Sequence, residues 1–301
     1  MKPIFDINGA DFAEFGVGLD EGKSERFTLV PVDPAVQAVL KQMAIVTRDE
    51  MHRVRPNATA YEPSEKYDSP EHLFVPTVDD LASRFKEIHT ASNIQPEATA
   101  LADASNIFCY FARFKFRKDK KHLTAVRRAT SFKGILKSPL IRFLGESLRI
   151  VEEQTFKLDH DFDVLADDDR VYILRPAGFE FVGHLDAEIA KAVPGNIHSV
   201  KADLPYVDLT AIQTYAIDHP RAARYLASIR SQKLAKGVDK AYLKKLCKST
   251  KVVVRETGGK LEVDPGSIMD FLGVLDRRLY QVELVKDSPE SFRASSRSPI
   301  T

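Results

Sequence analysis

The chain has 301 residues, 44% hydrophobic and 29% charged, and 44 Lys/Arg against 43 Asp/Glu leave a net charge of only +1. This is the composition of an ordinary soluble globular protein with ample core material, enough for one large domain or two moderate ones. It excludes a membrane span, since no run of about 18 apolar residues occurs, and two cysteines, Cys109 and Cys247, are too few for a disulfide framework or a cysteine zinc site.

No apolar stretch follows Lys2, so a secretory signal is not expected. The expected compartment is the cytoplasm, with both cysteines as buried thiols. In chain order, Asp33-Pro34 predicts a capped helix over 35–45, with Val36, Val39, Leu40 and Met43 on one stripe. Residues 55–71 read as loop and 79–89 as a short helix. From Asn106 to Arg117 the side chains alternate. Phe108, Tyr110, Ala112, Phe114 and Phe116 form one set, and the other ends in Arg113, Lys115 and Arg117. Period two with aromatic enrichment predicts a strand, apolar on one face and basic on the other near its end. A polar turn at 117–121 and a strand at 122–130 complete a basic-tipped hairpin.

A second hairpin is predicted from 162–165 and 171–174, joined by Asp167-Asp168-Asp169 and ended by Pro176. Residues 187–193 read as a short helix. Asp208 can cap a helix through 217, Pro220 can open one through 232, and Asp239 can cap one over 240–249. Gly258-Gly259 between two β-prone runs predicts a two-residue hairpin. Asp264-Pro265 starts a last helix carrying Ile268, Phe271, Leu272, Leu275 and Leu279 on one stripe. Together these elements predict an α+β protein. A mixed N-terminal domain built on antiparallel hairpins spans 1–205. A helical C-terminal module with a hairpin spans 206–286, and a disordered tail 287–301. Three helices followed by a hairpin is the order of a winged-helix module, with the third helix facing a groove and the hairpin as wing.

Charge is segregated along the chain: net −8 over 1–106, +10 over 107–149, −9 over 150–220, +10 over 221–255 and −2 over 256–301. Two dense basic blocks suggest positive surfaces for a polyanion, because Lys and Arg displace counterions from phosphates. The first block offers Arg113, Lys115, Arg117, Lys118, Lys120, Lys121, Arg127, Arg128 and Lys133. The second offers Arg221, Arg224, Arg230, Lys233, Lys236, Lys240, Lys244, Lys245, Lys248 and Lys251. Lys240, Lys244 and Lys248 share one helical face. A solvated face is the plain alternative, but such faces mix both signs, and Asp239 is the one acid among eleven bases in 221–255. In the first block the aromatics fall opposite the charges, which assigns Phe114 and Phe116 to the core and leaves backbone phosphate as the contact.

The acids of Asp159-His160-Asp161-Phe162-Asp163 include two, Asp161 and Asp163, on one strand face. They are candidate metal ligands for a metal-dependent nuclease, the main alternative function, although a solvated turn beside a strand edge is the simpler account. No phosphate-binding glycine loop, HExxH motif, Ser–His–Asp pattern or other catalytic motif is present, and no cofactor is expected. A third possibility is an interaction protein whose basic blocks pair with acidic blocks.

The segment from Phe162 through Glu180 resembles the core signature of the KwaB-like proteins of the Kiwa anti-phage defence system. That signature has an FDF strand, an acidic turn, a VYIL-like strand and a following FE. Phe162-Asp163, Val171-Tyr172-Ile173-Leu174 and Phe179-Glu180 keep it, while Val164 replaces the aromatic third residue of the first strand. The resemblance covers roughly residues 70–290. It implies a cytoplasmic, dimeric effector that binds incoming phage DNA, mainly double-stranded and without sequence preference, and hinders its replication or expression. It also implies a KwaA-like membrane protein as partner, which would recruit the effector to the inner membrane face. The motif residues themselves read as fold: Phe162, Val171, Ile173 and Phe179 as core, Asp163 and Glu180 as structural acceptors.

Overall fold

The computed structural model describes residues 6–22, 24–67, 69–90, 106–116, 121–129, 141–144, 147–150, 157–285 and 288–294. The protein is α+β with mostly antiparallel sheets. Two compact units divide the chain: residues 1–61 with 67–184, and residues 62–66 with 185–301.

The first unit contains β1 (Ala10–Asp20), β2 (Glu25–Leu29), α1 (Pro34–Val54), β3 (Thr59–Ala60), β4 (Leu73–Pro76), α2 (Ser83–Thr90), β5 (Ile107–Phe116), β6 (His122–Arg128), β7 (Ile141–Leu144), β8 (Ser147–Ile150), β9 (Val164–Ala166), β10 (Arg170–Ile173) and α3 (Pro176–Val182). Eight strands form one sheet in the order β2-β1-β5-β6-β9-β10-β4-β3, while β7 and β8 pair with each other. All pairs of the large sheet are antiparallel except β3 with β4. Both expected hairpins form, with Arg113 opposite Thr124 and Val171 opposite Ala166. Strand β1 carries no clean alternation in the sequence because Gly16 and Gly18 interrupt it. Its partner explains the first of them: a Cβ on Gly16 would lie 2.2 Å from the Phe111 ring.

Strand β5 corrects the expectation of one apolar and one basic face. Tyr110, Ala112 and Phe114 belong to the core cluster that includes Leu40, Met43 and Met51 of α1. The alternate residues Cys109, Phe111 and Arg113 are buried as well. The reason is position: β1 and β6 flank β5 on both edges, α1 covers one face, and α2 supplies contacts to Arg113 on the other. Phe85 of α2 stacks on Phe179 of α3, centroids 4.9 Å apart and planes at 16°. Helix α1 runs past the predicted residue 45, because Ala44, Thr47 and Met51 extend its buried stripe beyond Leu40 and Met43. Asp33 caps it as expected, its Oδ1 accepting from the Val36 amide at 2.8 Å.

The second unit contains α4 (Asp186–Lys191), α5 (Val193–Asp203), β11 (Val207–Asp208), α6 (Thr210–Asp218), α7 (Pro220–Ser231), α8 (Lys240–Ser249), β12 (Val254–Thr257), β13 (Lys260–Val263), α9 (Ile268–Leu275), β14 (Leu279–Val285) and β15 (Ser288–Arg293). Asp239 caps α8 through the Tyr242 amide at 2.8 Å. Gly258 and Gly259, at φ +58° and +80°, turn β12 into β13 in the conformation the hairpin signal demanded. Strand β11 adds to β13 in parallel. The last helix is shorter than its stripe suggested: it stops at Leu275, Arg277 takes φ +56°, and Leu279 opens β14 instead. Residues 288–293, read from composition as part of a disordered tail, form β15 and pair with β14, Tyr280 opposite Phe292. Ladder hydrogen bonds are made by backbone, which composition does not report. Among the described residues no helix is long and apolar enough to cross a membrane.

Candidate nucleic-acid interface

The first basic block turns largely inward. Arg113 is buried, donating from Nε to the Ile88 carbonyl oxygen at 3.1 Å in the last turn of α2 and from Nη1 to Glu14 at 2.8 Å. A guanidinium there satisfies a carbonyl that the helix end leaves unpaired. Arg127 is half-buried among three carboxylates. Arg128 is exposed, but its guanidinium lies over the Phe181 ring at 3.9 Å. Lys115 and Lys121 are exposed at the hairpin end. Arg117, Lys118, Lys120 and Lys133 lie outside the described residues.

The candidate metal carboxylates face arginines. Arg127 donates to Asp159 at 3.2 Å, to Asp161 at 3.0 Å and to Asp163 at 2.7 Å. Arg175 grips Asp161 with two parallel bonds of 3.1 and 2.6 Å. Asp163 also accepts from the Arg128 amide at 2.7 Å, and its backbone oxygen accepts from the amides of Leu174 and Arg175. It thus ties β6 to the β10–α3 junction. Burial pushes the Asp163 carboxyl up to about 6, against the pull of Arg127. A divalent ion would have to displace two guanidinium groups here. Among the described residues no group of three or more His, Cys, Asp or Glu is arranged to hold a metal. Gly178 is required beside this cluster, since a Cβ would fall 2.1 Å from an Asp163 oxygen. The neighbouring Glu180 accepts from the Tyr61 hydroxyl at 2.9 Å. The motif residues are therefore fold determinants, as their alternation suggested.

In the second block, α8 is amphipathic, with Leu243 and Cys247 buried and Lys244, Lys245 and Lys248 exposed. Its lysines are not equivalent. Lys240 donates to Glu256 Oε1 and to the Gly259 carbonyl oxygen, and Lys244 to Glu256 Oε2, each at 2.7 Å. Glu256 on β12 is one residue beyond the block in which Asp239 stood as the one acid, and its carboxyl is held down at about 2 by these two lysines. The pair clamps the β12–β13 hairpin to α8. Arg230 is half-buried and paired with Glu65. Arg224 is half-buried. Arg221 stands over Tyr225. Lys233, Lys236, Lys245, Lys248 and Lys251 are exposed and form no ion pair among the described residues.

The partners that disqualify Arg113, Arg127 and Arg230 as simple surface cations are remote in sequence: Glu14, Asp159–Asp163 and Glu65. No local pattern announces them. Glu256 lies on the strand that the Gly258-Gly259 signal predicted, one residue past the basic block, but no local pattern places it beside Lys240 and Lys244. One further constellation has the order of a catalytic triad. His89 contacts Thr124 Oγ1 through Nδ1 at 2.9 Å and Asp168 through Nε2 at 3.1 Å. Thr124 is fully buried within β6, so its hydroxyl cannot meet a substrate. The set instead fastens α2 and the β9–β10 turn to β6.

A protein-family model described as Kiwa protein KwaB-like matches residues 105–284, more than half of the chain. That range takes in both basic blocks, the carboxylate cluster and α8 with its hairpin. No curated protein matches, and no solved structure matches.

Proposed function

We propose, since the chain belongs to the KwaB-like family and so has a role in Kiwa anti-phage defence, that it works there by holding DNA through backbone phosphates. The observation that carries this reading is the outer side of α8. Lys245 and Lys248 on α8 and Lys251 just past its end are exposed, and no carboxylate among the described residues neutralises them. In this reading α8 takes the groove-facing place of a winged-helix module and the Glu256-clamped hairpin takes the wing. Lys115, Lys121, Lys233 and Lys236 contribute further phosphate contacts. Such contacts fix position without reading bases, so binding is not sequence-specific, and the dense phosphate charge of a duplex makes it the favoured form. Obstruction of replication or expression then follows from occupancy alone, with no covalent step and no cofactor.

The reading extends to a homodimer in the cytoplasm, recruited to the inner membrane face by a KwaA-like membrane protein. The carboxylate cluster lends the nuclease alternative little support, because Asp161 and Asp163 already serve Arg127 and Arg175.

The test is fluorescence anisotropy of the purified chain on a labelled random-sequence duplex, with EDTA present, titrated from about 50 to 200 mM salt. Each phosphate neutralised contributes about −0.9 to the log–log slope. Binding with a slope of several units is the expected result. Absence of binding at the lowest salt removes the reading.

A further inference from the structure

Two i,i+4 pairs on successive helices form one wall of a cavity of about 250 Å³ in the second unit. Tyr215 of α6 and His219, just after it, stack in parallel with centroids 3.7 Å apart and planes at 5°. The contact of His219 Nδ1 with the Tyr215 carbonyl oxygen, 2.8 Å, fixes the imidazole in that stack. Arg221, in the first turn of α7, lies over Tyr225 with its guanidinium carbon 5.7 Å from the ring centre. Arg278 approaches the same ring at 5.2 Å.

The charges on this wall are unequal. Arg278 is matched by Asp276 at 2.5 Å, and Arg293 by Asp270 at 2.6 Å. Arg221 meets no carboxylate among the described residues, and its contact with the Tyr225 hydroxyl is a long 3.4 Å. A guanidinium with a purely structural task ordinarily has an acidic or carbonyl partner, as Arg113, Arg127 and Arg175 do here. Arg221 instead stands exposed at a cavity whose other charged lining groups, Arg278, Arg293 and Asp270, are each held in an ion pair.

The cavity lining supplies a separate observation. Gly273 lies inside α9, where glycine costs about 1 kcal/mol relative to alanine. Sterics do not demand it: a Cβ would meet only Leu279, another lining residue, at an ordinary 3.8 Å. Gly273 is one of the residues lining the cavity, and without a side chain it leaves that part of the space open. Binding pockets for drug-sized molecules begin at about 300 Å³, so this one limits its occupant to about one nucleotide.

We propose that this cavity binds a nucleoside 5′-monophosphate group, the base stacking on the Tyr215–His219 ledge and the phosphate meeting Arg221. Ring faces accept any base, and a guanidinium fork matches phosphate oxygens. The same group exists free and at the 5′-phosphorylated end of a DNA strand. The proposal is independent of the α8 lysines and stands or falls without them.

The experiment is calorimetric titration of the full chain with AMP, with adenosine and inorganic phosphate as separate probes. AMP is expected to bind with a Kd below about 1 mM, and each fragment at least about tenfold more weakly. Arg221→Ala, at an exposed position, should weaken AMP about tenfold or more without lowering Tm. Gly273→Leu should abolish binding by placing a side chain in the cavity lining. A 5′-phosphorylated dinucleotide that competes with AMP assigns the strand end as the source, and failure to compete assigns the free nucleotide. No AMP binding, phosphate binding as tightly as AMP, or unchanged affinity in Arg221→Ala overturns the proposal.

Discussion

Arg127 donates to Asp163 at 2.7 Å, joining one basic block to the acidic segment that follows it in sequence. Both side chains are largely buried, 14% and 5% exposed. Breaking such a pair leaves a carboxylate uncompensated, which typically costs about 3–5 kcal/mol. Arg127→Ala should therefore unfold at markedly lower urea concentration. A folded, equally stable Arg127→Ala protein with weakened DNA binding would return Arg127 to the interface.

The raised Asp163 carboxyl gives a pH signature. Its folded value of about 6 lies above the ordinary 3.8, so its contribution to stability is full below about 4 and is lost as pH rises through about 6. Urea unfolding from pH 4 to 7 should show this decline, superimposed on other titrations, and Asp163→Asn should flatten that component. An identical profile in the variant would refute the assignment.

Gly178 has no room for a methyl group, since a Cβ would meet Asp163 Oδ2 at 2.1 Å and Cγ at 2.2 Å. Both atoms belong to a side chain pinned by Arg127 and the Arg128 amide, so it cannot swing away freely. Gly178→Ala should destabilise by about 1–3 kcal/mol, with strong non-additivity toward Asp163→Ala in a double-mutant cycle. Additive effects would show that the two sites are uncoupled.

Glu256 should titrate at about 2 in a carboxylate NMR experiment. The hairpin clamp is then complete above about 4.5, Glu256's ordinary range, and is lost as pH falls through about 2. Lys244→Ala should move the titration upward. A midpoint unaltered by that substitution would mean that Lys244 does not reach the carboxylate in solution.

The same clamp separates two classes of lysine. Lys245→Glu, Lys248→Glu and Lys251→Glu should each lower DNA affinity and reduce the salt slope by about 0.9. Lys240→Ala and Lys244→Ala should act first on hairpin mobility, read by amide exchange of β12 and β13. Equal DNA losses from both classes, with no change in exchange, would contradict that division.

The thiols offer a simple control. Burial pushes Cys109 up to about 12 and Cys247 up to about 11. Both should resist a thiol reagent in the native state and react on unfolding. Rapid native labelling of Cys109 would contradict its place inside β5.

Local physics made much of the fold legible. Period two across β5 and β6, the Asp33 and Asp239 caps, and Gly258-Gly259 each act over a few residues, and each has its predicted geometry. The KwaB-like motif was likewise readable, and its Phe162, Val171, Ile173 and Phe179 are buried as expected. Strand β15 and the early end of α9 were not, since backbone pairing and one left-handed residue decided them.

Charge density, a property of sequence alone, marked which segments are basic and pointed to a polyanion. Only the tertiary structure decided which cations remain for one. Arg113, Arg127 and Arg230 found acids up to 165 residues away, and Lys240 and Lys244 found Glu256 across a helix–hairpin contact. Coulomb attraction depends on distance in space, and chain folding sets that distance without regard to separation along the sequence.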